Sequence, residues 1–266
     1  MVFELDDKHI IEIDLLLDIA RQAGNGILKV YNDTAESISV TYKEDQSPLT
    51  IADSISHRII ADRLAELTPD IPLLSEEGKE IPYEERKLWE YYWCVDPLDG
   101  TKEFIKRNGE FTVNIALIHK NKPVLGIIYA PVTHVMYYGG INVGSWKITP
   151  DSVTKRLTAL HEINEWTAVA SRTHSSEEEQ AILAKYNVTK MISAGSSLKF
   201  CMIAEGTAQI YYRHGPTMEW DTAAGHAIAI YSGAFMSAPN GGPFYYNKPS
   251  LLNGSFICCI KSVVAD

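Results

Sequence analysis

The sequence predicts an α+β first half joined to an α/β second half, and three observations carry that prediction. Glu110 to His119, Pro123 to Ala130 and His134 to Gly140 are β-rich runs separated only by Asn121-Lys122 and by Pro131 to Thr133, the pattern of an antiparallel meander. From Trp166 onward, short apolar runs alternate with helical patterns, as in an α/β unit. Between the two, Ser145 to Ile163 loses periodicity around Pro150, so the division is expected there, with an N-terminal half over 1–150 and a C-terminal half over 151–266.

Taken in order, His9 to Tyr31 places Ile10, Ile13, Leu17, Ala20, Gly24, Ile27 and Tyr31 at spacings of three or four, which predicts an amphipathic helix. Gly24 and Gly26 mark a close approach to a neighbour. Ser37 to Tyr42 alternates Ile38 and Val40 with polar residues and predicts a half-exposed strand. Pro48 and Thr50 can open the next helix, continued by Ile51, Ile55, Ile59, Ile60 and Leu64 to about Leu67. Ile71 to Leu74 is a short apolar run that ends in Ser75-Glu76-Glu77. Tyr91 to Val95 is aromatic and β-branched and reads as a buried strand, with Pro97 expected to end its ladder because proline lacks an N–H. In the second half the predicted order is strand Trp166 to Ala170, helix Ser175 to Tyr186, strand Val188 to Ile192, helix Ser196 to Glu205, strand Ala208 to Tyr212, and a small-residue helix in Met218 to Tyr231 headed by Asp221.

Composition narrows the function. A chain of 266 residues with 45% hydrophobic and 22% charged residues matches an ordinary globular protein and excludes disordered and fibrous classes. The formal net charge of −10 argues against a protein that coats nucleic acid. A small phosphorylated substrate stays compatible with it, because bound metal ions invert the local sign. The four cysteines, Cys94, Cys201, Cys258 and Cys259, have no C-x-x-C spacing, so neither a zinc site nor a redox motif is supported. Met1 to Ile10 lacks a secretory pattern and no run reaches the ~18 apolar residues of a membrane span, so the expectation is a cytoplasmic protein.

The chemistry concentrates where apolar runs end in acids. Asp96 and Asp99 leave one strand end together, and two carboxylates held that close raise each other's pKa unless a cation sits between them. With only hard oxygen donors nearby, Mg²⁺ is the natural ion. An isolated Asp-Pro-x-Asp-Gly string also fits a capped polar turn. Glu76, delivered by the run at Ile71 to Leu74, and Asp221, at a helix start, supply further carboxylates, and Asp45 stands in Lys43 to Asp53.

With Lys-x-Asp-x-Ser-Pro-Leu-Thr at Lys43 to Thr50, Leu-Ser-Glu-Glu at Leu74 to Glu77, the long string from Asp96 to Ala116, and Gly215 to Ala227, the chain resembles the magnesium-dependent inositol monophosphatase superfamily. Within it the motifs look most like the CysQ-type 3′(2′),5′-bisphosphate nucleotidases. The resemblance implies a layered αβαβα sugar-phosphatase sandwich, an α+β fold overall, and hydrolysis of adenosine 3′,5′-bisphosphate to AMP and phosphate, with phosphosulfate nucleotides as further substrates, in sulfur metabolism. It implies Glu76, Asp96 and the Leu98 carbonyl on one Mg²⁺, and Asp96, Asp99 and Asp221 on a second, with room for a third ion near Glu76 and Asp45. It implies that Asp45 and Thr101, with Glu76, activate the attacking water, and that the N–H groups of Gly100 and Thr101 hold the phosphate. Ser171, His174, Gly195, Ser197, Lys199 and Arg213 fall where that subgroup binds the rest of the nucleotide. The implied partners are a small nucleotide and no nucleic acid; a monomer or homodimer, and peripheral attachment at the inner membrane, are left open. Two other readings stay open: an inositol- or sugar-phosphate phosphatase with the same metal ligands, and a binding protein that senses a phosphorylated metabolite, against which Asp45 and Thr101 speak.

Overall fold

In the computed structural model strand β1 (Val2–Glu4) pairs antiparallel to β2 (Ile10–Glu12), so Ile10 to Glu12 of the predicted helix are strand. Helix α1 follows over Ile13–Asn32. The residues described are 2–4, 10–33, 40–42, 48–160, 163–171 and 177–261; Asp45, Ser47, His174 and the first half of the strand expected at Ser37 to Tyr42 lie outside them. Strands β3 (Val40–Tyr42) and β4 (Pro48–Thr50) form a hairpin pair leading into α2 (Ile51–Leu67). Thr50 caps that helix and Asp53 returns a carboxylate to the Thr50 N–H at 2.8 Å, a capping box that fixes where the helix starts.

Next come β5 (Leu73–Ser75), α3 (Tyr83–Arg86), β6 (Tyr91–Asp99), α4 (Thr101–Ile105), β7 (Thr112–His119), β8 (Lys122–Ala130), β9 (Val135–Gly140), β10 (Gly144–Ile148) and β11 (Thr154–Leu157). They build one seven-stranded sheet in the order β11-β10-β9-β8-β7-β6-β5, antiparallel except where β5 lies beside β6. The expected meander is its centre. The stretch around Pro150 is not a gap in structure: β10 and β11 flank it as a hairpin, and the sheet runs on to Leu157. β11 is the edge strand and exposes Thr154, Lys155 and Arg156, while β10 interleaves Ser145 and Lys147 with Trp146 and Ile148, so neither shows a run of apolar residues.

The second half supplies β12 (Trp166–Ala170), α5 (Glu177–Leu183), β13 (Val188–Ser193), α6 (Leu198–Ala204), β14 (Ile210–Arg213), α7 (Glu219–Tyr231), β15 (Phe235–Ser237) and β16 (Phe256–Cys259). Its five-stranded sheet, in the order β13-β12-β14-β16-β15, is parallel at β13-β12-β14 and antiparallel beyond.

Side chains of the large sheet alternate between two cores, as a strand's period of two requires. Trp93, Val95, Val113, Ile115 and Leu117 pack with α1 and α2, whereas Tyr92, Cys94, Ala116 and Ile118 pack with residues of α6 and α7. Phe200, Ile203 and Ala229 of those two helices also join the core of the smaller sheet, with Leu183 of α5. The layers therefore run α1/α2, large sheet, α6/α7, small sheet, α5, the αβαβα order that the resemblance implied. The near-continuous apolar runs of β7 and β8 follow from coverage on both faces.

Ala224 and Ala227 of α7 let it lie close on β8. A Cβ on Gly126 of β8 would stand 2.4 Å from the Ala224 carbonyl oxygen and 2.8 Å from the Ala227 Cβ, so a side chain there has to move helix backbone. Gly126→Ala gains ~0.5–1 kcal/mol from strand entropy, yet overpacking against backbone costs ~1–3 kcal/mol. The net expectation is a loss, read as a lower urea midpoint, together with reduced activity because α7 carries Asp221. A variant as stable and active as the parent would show that the contact yields easily.

Candidate active site

Strand β6 does not stop at Pro97. Asp96 pairs with Asn114 and Asp99 with Thr112, so Pro97 and Leu98 together oppose Val113 in a bulge, and the ladder resumes beyond it. Proline is tolerated because the bulge asks it for no hydrogen bond. The carbonyl that the bulge frees at Pro97 accepts from Ser56 Oγ of α2 at 2.7 Å. Gly100 then takes φ +94°, a left-handed turn that glycine adopts without strain, and Thr101 opens α4.

Three segments bring carboxylates to one place. Oxygens of Glu76, Asp96 and Asp221 all lie within 4.8 Å of one another. The reading of the sequence divided Glu76 and Asp221 between two ions that share Asp96; the fold puts all three within reach of a single cation. Asp96 is 1% exposed and takes a bond from the Leu98 N–H at 3.0 Å. Asp221 is not the residue that caps α7: Met218 is, and Asp221, three positions on, accepts the Met218 N–H at 2.8 Å. Asp99 stands at the edge of this group, its Oδ2 accepting from Ser197 Oγ at 2.6 Å and from Asn114 Nδ2 at 3.1 Å.

Burial, with repulsion from Glu76, Asp99, Asp221 and Asp53, pushes the Asp96 carboxyl well above its ordinary value of 3.8. Burial and Asp99 do the same to Asp221, although the Met218 hydrogen bond and Arg213 act against them. The donors are all hard oxygens, and the cost of keeping them together is like-charge repulsion out of water. A divalent cation removes that cost, so these residues fit Mg²⁺ by chemistry.

One turn of α2 touches the ends of β5 and β6 and the start of α4. Besides Ser56, His57 Nδ1 lies 2.9 Å from Ser75 Oγ, next to Glu76, and Asp53 Oδ1 accepts from Thr101 Oγ1 at 3.4 Å. Asp53 was missed in the sequence as anything but the end of a motif. Its signal was present in Thr50-x-x-Asp53, a capping box whose acid is 2% exposed here and raised in pKa by burial and by Glu76, though the Thr50 bonds lower it. Thr101 Oγ1 also reaches the Leu98 carbonyl at 3.4 Å, the carbonyl assigned to a metal by resemblance.

A pocket opens beside the acids, lined by Asp99, Gly100, Asp221, Ser171, Gly195, Ser196, Lys199 and Arg213 among others. Lys199 is not a solvated helix lysine. It is 6% exposed, donates to the carbonyls of Ser196 at 2.5 Å and Ala194 at 3.3 Å, and lies over the Tyr211 ring. Burial lowers its pKa to about 8, with Arg213 in the same sense, while Asp99, Glu103 and Asp221 oppose them. Arg213 donates to Ser171 Oγ at 2.9 Å, and Gly195 N–H to Glu110 Oε2 at 2.8 Å. Ser197, expected to touch substrate, is 1% exposed and lies behind Asp99 instead of on the pocket wall.

The raised carboxyls predict how metal and pH act together. Asp96 and Asp221 bind protons more tightly folded than unfolded, so their contribution to stability is full below about pH 4 and is lost as pH rises through their raised folded values. In chelator, the metal-free protein therefore sheds this contribution on going from acid to neutral pH. Cation binding needs the ionised forms. The rise in Tm on adding Mg²⁺ should accordingly be larger at roughly pH 8 than at roughly pH 5; a difference flat with pH would remove the acidic cluster as the cation site.

Known proteins agree with this geometry. Residues 8–262 match the sequence model of the inositol monophosphatase family. The chain is 47% identical over 245 residues to the 3′(2′),5′-bisphosphate nucleotidase CysQ of Salmonella typhimurium, covering 92% of this chain and 98% of that protein. It is 43% identical to the protein of the same name from Buchnera aphidicola, with 92% of each covered. Among solved structures, CysQ of Bacteroides thetaiotaomicron superimposes with a TM-score of 0.82 at 42% identity, covering 93% of this chain and 97% of the other. An α+β sandwich of this order, acids delivered by β5, β6 and α7, and a match over nearly the whole length mean that the chain belongs to the inositol monophosphatase family.

Proposed function

We propose that this chain is a Mg²⁺-dependent phosphatase that hydrolyses adenosine 3′,5′-bisphosphate to AMP and phosphate. The observation that carries the choice of substrate is the composition of the pocket: the acids Asp99 and Asp221 on one wall, and Ser196, Lys199 and Arg213 on another. Two buried polar atoms on that second wall, Ser196 Oγ and Arg213 Nε, have no hydrogen-bond partner among the described residues. Buried donors left open ask for an acceptor, and a second phosphate remote from the reacting one supplies it. The CysQ names of the relatives point the same way.

Glu76, Asp96, Asp99 and Asp221 would hold the cation, with the Leu98 carbonyl beside them; we keep two ions sharing Asp96 as the reading. When bound, Mg²⁺ supplies charge neutralisation of the phosphate and a lowered pKa for the attacking water. The chain does the rest. Gly100 and Thr101 present backbone N–H groups at the start of α4, where a phosphate oxygen can be accepted. Thr101 Oγ1 donates to Asp53, so its lone pairs are free to receive a proton from water while its own proton moves toward Asp53. We place the base at Asp53 on that bond, and Asp45 remains the competing assignment. Lys199 and Arg213 orient the distal phosphate and leave the reaction centre alone.

Phosphate release from adenosine 3′,5′-bisphosphate with Mg²⁺, abolished by chelator, tests the activity. Faster release from inositol 1-phosphate at equal concentration would favour a sugar-phosphate enzyme instead. Lys199→Ala should cost about one to two orders of magnitude in kcat/KM for the bisphosphate and nearly nothing for a simple monophosphate, the scale of a charge-assisted bond worth ~1.5–3 kcal/mol. Equal losses on both would return Lys199 to structural support.

Asp53→Asn keeps an acceptor for the Thr50 N–H but removes the base, and should lower kcat by about 10² to 10⁴ with little change in the Mg²⁺ requirement. The same loss from Asp45→Asn, with Asp53→Asn near normal, would move the base to Asp45.

A further inference from the structure

We infer that Ser197, held by Asn114, is a positioning residue for the metal-binding carboxylate Asp99 and ties the nucleotide-pocket helix to the metal centre. This rests on Asp99 being a cation ligand. Ser197 Oγ lies 2.6 Å from Asp99 Oδ2 and 2.9 Å from the Asp221 carbonyl oxygen. One hydroxyl carries one proton, and the carboxylate is the stronger acceptor. Asn114 Nδ2 donates to Ser197 Oγ at 2.8 Å and to Asp99 Oδ2 at 3.1 Å. Thr112 Oγ1 donates to Asn114 Oδ1 at 2.9 Å, which sets the amide with its NH₂ toward the acid.

The chain Thr112-Asn114-Ser197 is buried throughout, at 0%, 1% and 1% exposure, so water does not compete for these bonds. Both bonds to Asp99 fall on Oδ2, which leaves Oδ1 as the oxygen offered to a cation. Groups behind a metal ligand that fix its orientation govern metal affinity, and their loss typically costs 10–100-fold. The adjacent serines thus divide the work: Ser196 lines the pocket, whereas Ser197 does not. Because Ser197 immediately precedes α6 and Lys199 lies in its first turn, the loop that meets the distal end of the substrate is bonded directly to Asp99. Asn114, from β7, anchors the same carboxylate to the large sheet.

Calorimetric titration of the full chain with MgCl₂ alone, beside steady-state kinetics on adenosine 3′,5′-bisphosphate, tests this. Ser197→Ala should weaken Mg²⁺ binding by about 10- to 100-fold, with kcat recovered in large part at saturating Mg²⁺ and KM for the nucleotide then within about twofold of the parent. Ser197→Cys, which keeps a weak donor on the same stem, should fall between the two, and it carries the test if the alanine variant does not fold. Unchanged Mg²⁺ binding with a raised KM would make Ser197 a substrate contact and overturn the inference. Asp99→Asn is the control for the assignment beneath it: if Asp99→Asn binds Mg²⁺ as the parent does, both fall, whereas weak binding in Asp99→Asn with parental binding in Ser197→Ala sinks the positioning role alone.

Discussion

Mutual repulsion among buried carboxylates is the constraint around which the molecule is arranged. Asp96, Asp221 and Glu76 converge within 4.8 Å, with Asp99 and Asp53 close enough to raise their neighbours' pKa values. Such a group is unstable by itself, and Asp96, Asp221, Asp99 and Asp53 are each kept in place by a bond that does not come from another carboxylate. Backbone N–H groups hold Asp96 and Asp221, side-chain donors hold Asp99, and a helix cap holds Asp53. The scaffold pre-organises the acids in advance of the cation that makes their company favourable.

Helix α7 is the second requirement, because it serves both cores. It presents Ala224 and Ala227 to β8, Gly225 to Phe200 of α6 and Ala229 to the core of the small sheet, so its N-terminus, and with it Asp221, is located relative to both halves at once. Two positions before Asp221, the fully buried Glu219 accepts from the N–H groups of Asn247 and Lys248 and from Lys248 Nζ at 2.6 Å. Arg86, also buried, donates to Asn247 Oδ1 and to the Lys248 carbonyl. A buried ion pair contributes little net stability but is costly to break on one side. Here it fastens the segment around 247–248 over the head of α7, two positions from Asp221.

A family fold of this kind leaves chemistry to the loops at sheet edges and helix ends, and the local rules change there. Proline sits inside a strand at 97, glycine turns left-handed at 100, and a lysine is buried at 199. Each departure has a neighbour that makes it possible: Ser56 for the freed carbonyl, the bulge for the missing N–H, and two carbonyls with an aromatic face for the ammonium. Among the described residues no helix is long and apolar enough to cross a membrane.

Much of this was legible in the chain. Period-two runs gave the meander, period-3.6 runs gave α1 and α2, acids at the ends of apolar runs gave Glu76, Asp96 and Asp99, and a helix start gave Asp221, because local pattern and local chemistry are written at neighbouring positions. The polar hairpin of β10 and β11 was not, since edge strands carry little apolar signal, nor was the continuation of β6 past Pro97, which needs the register of Asn114 and Thr112 to be seen. Tertiary structure alone decided that Asp53 faces Thr101 across 48 positions and that Ser197 faces Asp99 across 98. It also decided that Lys199 is buried. Those roles depend on which side chain stands opposite across the fold, and a sequence records the residue types while only packing fixes the partners.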